Sequence, residues 1–102
     1  MSATIITTTV RTIFSACHVD PMTGALHGHD YEILVTSKWD NVRFEIIRDR
    51  VDSVLRAIDH PTMVKLWSGE RLAEHILEQL PREFYVVEAN RPHLGHFAKA
   101  VR

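Results

Sequence analysis

ITTTVRTIFSACHVDPMTGALHGHDYEILVTSK, residues 6–38, is the stretch whose reading decides the fold. In its first part Ile6, Thr8, Val10, Thr12, Phe14, Ala16 and His18 have one parity, and Thr7, Thr9, Arg11, Ser15 and Cys17 have the other. A period of two in a run rich in β-branched residues reads as a strand. Asp20, Pro21, Thr23 and Gly24 then gather as turn formers. Beyond them His27, His29, Tyr31, Ile33 and Val35 alternate with Asp30, Glu32, Thr36 and Lys38. Two antiparallel strands joined by a short loop follow.

Outward from this hairpin the period changes. Asp40 and Asn41 mark a turn, and Ile47, Val51, Val54, Leu55 and Ile58 then recur at the spacing of one apolar helical face, with Arg48, Asp49, Arg50, Asp52 and Arg56 turned away. Ser68 can cap a second helix whose apolar face is Leu72, Ala73, Ile76, Leu77 and Leu80, and Pro81 stops it. Residues 84–88 read as a strand, residues 90–92 as a turn, and residues 94–101 as a weaker strand. The order ββααββ predicts a two-layer α+β domain, a four-stranded antiparallel sheet with two helices covering one face. The other face and the edges then call for polar cover or a partner.

The chain has 102 residues, 45% hydrophobic and 25% charged, which suits a single domain over residues 1–102. A domain this small buries roughly two-thirds of the surface of its unfolded chain, so a metal or oligomerisation would add useful stability. With a formal net charge of −1 and interspersed signs, there is no electrostatic footprint for nucleic acid. No window approaches a membrane span, and no basic region precedes an apolar stretch at the start, so no membrane partner is expected and the expected compartment is the cytoplasm. Cys17 is the only cysteine, which excludes an intrachain disulfide.

Seven histidines are many for this length, and their placement matters more than their number. His27 and His29 have equal parity at the start of the second strand, and His18 ends the first, so three imidazoles can converge at one end of the hairpin if His18 has the matching side. Three histidines with a vacant fourth position suit catalytic zinc. The plainer alternative is a turn with two exposed imidazoles and an ordinary strand histidine.

Phe14-Ser-Ala-Cys-His18 followed by Leu26-His-Gly-His-Asp-Tyr31 resembles the FxAxH and LHGHxY signature of the 6-pyruvoyltetrahydropterin and 6-carboxytetrahydropterin synthases. Ile58-Asp-His60 looks like that family's aspartate–histidine pair, Ser68-Gly-Glu70 like its (T/S)xE, and Val86-Val-Glu88 like the strand carrying its pterin-anchoring glutamate. The resemblance spans nearly the whole chain. It implies a ββααββ tunnelling fold, trimers or hexamers with sites between subunits, and Zn(II) on His18, His27 and His29. It also implies a carbon–oxygen lyase activity on 7,8-dihydroneopterin triphosphate, as in tetrahydrobiopterin or queuosine-type biosynthesis. Zinc there acidifies a side-chain hydroxyl and polarises a developing carbonyl.

The family's cysteine base normally lies four residues before the first histidine of the HGH, where this chain has Thr23, a far poorer base than a thiolate. The alternative is therefore a zinc-containing pterin or nucleobase binding protein, or a different reaction on a related pterin. Cys17 has the parity opposite to His18 and reads as buried or inert. The loops before His27 and Ser68 are short, and Arg43 stands where the family usually has Asp. His60 with Asp59 can act as an acid or base, or cap the first helix. Glu88 can accept two parallel N–H donors from a pterin edge, or be a polar residue at a strand end. Glu70 is either substrate-binding or a first-turn acid favouring the helix dipole. His93 and His96 read as surface residues, His75 as solvated, and Trp39 and Trp67 as packing residues.

Overall fold

The fold is taken from a computed structural model that describes residues 4–19, 22, 26–39, 42–58 and 68–102, with the backbone alone for residues 16–19 and 26–29. The elements follow in the expected α+β order: β1 (Thr8–Val19), β2 (Leu26–Ser37), α1 (Phe44–Arg56), α2 (Gly69–Gln79), β3 (Phe84–Arg91) and β4 (His96–Val101). The four strands form one antiparallel sheet in the order β1-β2-β3-β4.

Alternation sorts the sheet into two faces. Val10, Tyr31, Ile33, Val35, Val87 and Ala89 are buried beneath Ile47, Val51 and Leu55 of α1 and Leu72, Ala73, Ile76 and Leu77 of α2. Full burial of a large aliphatic side chain is worth about 1.5–3 kcal/mol. These apolar faces, more than helix propensity, therefore hold the helices in place. Trp39 joins the core edge-on to Phe84, with ring centroids 5.2 Å apart. The opposite face carries Arg11, Glu32, Leu34 and Glu88, and leaves Ile13, Phe97 and Val101 exposed.

The ends of α2 have separate causes. Ser68 Oγ accepts the Arg71 backbone N–H at 3.2 Å, a cap worth about 1 kcal/mol. At the other end Arg102 donates to the carbonyls of Leu80, Pro81 and Phe84 at 2.8, 2.6 and 3.0 Å, satisfying the turn that leads into β3.

Several boundaries differ from expectation: β4 starts at His96 and not at Leu94, and Ile58 lies beyond the end of α1. α1 begins at Phe44, one turn ahead of its first buried residue, Ile47. β3 runs through Asn90 and Arg91, which were expected in a turn. Both pair with β4, opposite Phe97 and His96, so the reversal falls on a 3-10 turn, Pro92–Leu94, closed by Gly95 at φ +67°. Only glycine enters that left-handed region without steric cost.

β1 and β2 pair from Thr8 opposite Ser37 to Val19 opposite Leu26, whereas β3 joins β2 only from Glu32 onward. The far part of the hairpin is thus a two-stranded ribbon extending past the rest of the sheet. The Cα radius of gyration is 14.6 Å, against about 13 Å for a compact domain of this length. Among the described residues no helix is long and apolar enough to cross a membrane.

Candidate functional site

The ribbon carries the histidine motif. His18 is paired directly with His27, and His29 lies opposite Ala16. Residues directly opposite in an antiparallel pair share a face, with Cβ atoms about 4.5–5.5 Å apart. The register therefore meets the condition set by the sequence, that His18 match the side of His27. Cys17 is opposite Gly28, one step out of phase. The imidazoles themselves lie outside the described side chains. Among the described residues no three His, Cys, Asp or Glu side chains gather as a metal-holding group.

Where β3 and β4 begin to back the hairpin, four polar side chains join. His96 Nε2 meets Glu70 Oε1 at 2.9 Å, and Arg91 Nε and Nη2 lie 3.2 and 3.1 Å from His96 Nδ1. A guanidinium has no acceptor, so Nδ1 must carry the lone pair and Nε2 the hydrogen, which fixes the tautomer. The Arg91 guanidinium in turn sits over the Tyr31 ring, 5.8 Å from its centroid. Tyr31 is two residues from His29 and paired with Phe14, so this chain of contacts ends at the foot of the ribbon.

The sequence places these groups through one small residue. A Cβ on Gly69 would lie 3.2 Å from Ala89 O and 3.2 Å from His96 Cε1, so glycine lets the start of α2 settle against the sheet and brings Glu70 to His96. The His96 hydrogen bond, aided by the backbone N–H of Glu70 itself, holds the Glu70 carboxyl below the usual carboxylate range. Burial raises the Tyr31 phenol, with Arg91 opposing that shift and Glu70 adding to it.

His93 and His96, both expected at the surface, part company. His93 is exposed in the 3-10 turn, while the His96 side chain is 27% exposed and holds Glu70. A Pro-x-x-Gly between two strands is a turn signal, and applied to Pro92 and Gly95 it would have placed His96 at the start of β4. Glu70, offered as a substrate ligand or a first-turn acid, occupies the first turn of α2 and binds His96. His75, expected to be solvated, is half-buried beside Ser53, Val54, Ala57 and Gln79 in the groove between the helices.

Glu88 lies between the buried Val87 and Ala89, so it belongs to the open face, opposite Leu34 and Lys99. Glu70 is on the helix side, and one chain does not bring the two carboxylates together. Also on the open face, Glu32 accepts from Arg11 Nε at 2.8 Å, and this bond, helped by Asn90, holds its carboxyl low. Ser15 donates to Asp30 at 2.6 Å in the same layer.

Thr23, Asp59, His60 and Trp67 lie outside the described residues. Compared with protein-family models and with curated proteins, the chain matches none.

Proposed function

We propose that this chain is a zinc-dependent lyase similar to the 6-pyruvoyl- and 6-carboxytetrahydropterin synthases, acting on 7,8-dihydroneopterin triphosphate. The observation that carries the reading is the pairing of His18 with His27, with His29 two residues along, inside the FxAxH and LHGHxY signature. Three neutral imidazoles suit zinc and leave a fourth position open. Bound there, the ion would act as a Lewis acid toward the oxygens of the substrate side chain.

The remaining roles fall to the chain's own residues. His60, with Asp59 beside it in the sequence, is the group to exchange protons with the side chain of the substrate. Glu88 accepts the amino and ring N–H groups of the pterin edge. Glu70 keeps His96 and Arg91 in place beside Tyr31. Because Glu88 and Glu70 are on opposite faces, a complete site draws on more than one copy, and the exposed Ile13, Phe97 and Val101 support a homotrimer or homohexamer. Thr23 in the position of the family's cysteine favours a second reading, a zinc-containing pterin-binding protein without turnover.

Zinc content and turnover test both readings. The purified chain is expected to carry close to one zinc, and the triple alanine variant of His18, His27 and His29 to carry none; unchanged zinc in that variant rejects the site. With 7,8-dihydroneopterin triphosphate, slow loss of inorganic triphosphate followed by mass spectrometry is expected, and Thr23→Cys should raise it without altering zinc. Binding with no turnover, even in Thr23→Cys, establishes the second reading instead.

A further inference from the structure

Among the described residues, Arg91 stands out as a cation with no counter-charge beside it. It is half-buried at the end of β3, and its contacts are the neutral Nδ1 of His96 and the face of the Tyr31 ring. Among the described residues no carboxylate lies within ion-pair distance of it. The nearby acid, Glu70, has its oxygen on the far side of the imidazole, at His96 Nε2. Withdrawing a charge from water without a partner is costly, so a half-buried guanidinium whose described neighbours are neutral is suited to take an anion.

The direction of the guanidinium is also fixed. Both contacts to Nδ1 come from one edge, Nε and Nη2. Nη1 and the second N–H of Nη2 remain, and these form the planar fork that grips two oxygens of a carboxylate or phosphate. Three neighbours hold it in that pose: His96 at its edge, Glu70 locking the tautomer of His96, and Tyr31 beneath. The extended register sets Arg91 beside Tyr31, since Ile33 pairs with Ala89 and Glu32 with Asn90. Arg91 is thereby set at the foot of the ribbon that carries His29.

We infer that Arg91 is an oxyanion-binding residue, with His96 and Glu70 as its positioning pair, and that it takes the phosphoryl or carboxylate group of the ligand bound at this end of the sheet. This deepens the reading of the site given above and rests on it for the ligand's location. The chemistry recognised is a planar pair of anionic oxygens.

The test uses the full chain as purified and reads the backbone amide resonances around Tyr31, Arg91 and His96 by NMR, with the Arg91 Nε–H as well in the parent chain, during titration with inorganic phosphate and, separately, acetate. A saturable shift is expected, and the tighter of the two probes assigns the phosphoryl or the carboxylate source. Arg91→Gln should weaken that binding about tenfold or more, and Arg91→Lys should recover only part of it, because an ammonium lacks the fork. His96→Ala should lose part of the affinity and His96→Gln less, since its amide keeps an acceptor for Arg91. Circular dichroism confirms that each variant is folded, and Arg91→Lys supplies the comparison if Arg91→Gln is not. Wild-type affinity in Arg91→Gln, or no saturable shift with either probe, overturns the inference. Parallel titrations with 7,8-dihydroneopterin and its triphosphate separate this failure from that of the function. If the triphosphate binds equally well to Arg91→Gln, the assignment of Arg91 falls and the pterin reading stands. If neither pterin binds while phosphate still does, the pterin reading falls and Arg91 stands.

Discussion

The two ends of the β1–β2 hairpin obey the same alternation but are held by different forces. At one end Val10, Ile33 and Val35 lie under both helices with β3 and β4 alongside. At the other, residues 16–19 and 26–29 form a ribbon beyond the reach of β3. An isolated two-stranded ribbon is marginal in water. The first end is stable because of what it buries; the second needs something brought to it, and it is the one carrying His18, His27 and His29. The stability of the fold and the chemistry of the site are thus assigned to different parts of one continuous pair of strands.

The largest expected effect is a contrast in amide hydrogen exchange. In chelator-treated protein, the amides of Ile33, Val35 and Val87 should exchange only through global opening. Those of the ribbon should be less protected by about 3 kcal/mol or more. Added zinc should close much of that gap without changing the covered end. Equal protection at both ends before zinc is added would remove the contrast.

A smaller effect is expected where the covered end meets the polar cluster. Gly69→Ala would gain helix propensity, but its methyl group meets a sheet carbonyl and a ring pinned on both nitrogens. Neither can retreat easily, so the net result should be a loss of about 1–2 kcal/mol in urea denaturation. A neutral or stabilising outcome would show that α2 can lift from the sheet at little cost.

The smallest effect concerns Glu70. Its folded-state pKa is lowered, chiefly by the His96 hydrogen bond, so its contribution is present above the ordinary glutamate range and is lost as pH falls through the lowered value. Glu70→Gln should therefore be less stable than the parent near neutrality, and the two should converge as pH falls through the lowered value. With the carboxylate 64% exposed, solvent screening limits the difference to a few tenths of a kcal/mol. A difference that grows on acidification would contradict the assigned cause.

How far the sequence could be read depended on whether a feature was local. Strand parity, the two apolar helix faces and the Ser68 cap involve residues within a few positions of one another, and each was legible in advance. The pairing of His18 with His27 was legible as a condition, because a short hairpin loop leaves few registers. The Glu70–His96–Arg91 contacts were not. Glu70 and His96 are brought together by the packing of α2 on β4, and the decisive detail, the length of the Pro92–Gly95 reversal, was obscured by Asn90. Asparagine is a turn former in isolation, yet Asn90 is a buried strand residue cross-paired with Glu32 and Phe97. For Glu88 the strand was legible, but which sheet face it joins required knowing that Val87 and Ala89 are the buried neighbours.

The uninterrupted pairing from Thr8–Ser37 to Val19–Leu26 makes the hydrophobic core a ruler for the histidines. A one-residue slip would turn outward either Val10 or both Ile33 and Val35, according to which strand moved, so the core permits a single phase. That phase is passed along the strands, step by step, to positions the core never touches. His18 and His27 need contribute nothing to finding each other; their meeting is decided at the opposite end of the same hairpin. A single residue inserted between Ser15 and Cys17 would leave every covered side chain where it is and put His18 out of step with its partner. The spacing from Val10 to His18 is thereby constrained as tightly as the histidine itself, although the residues that fill it are not.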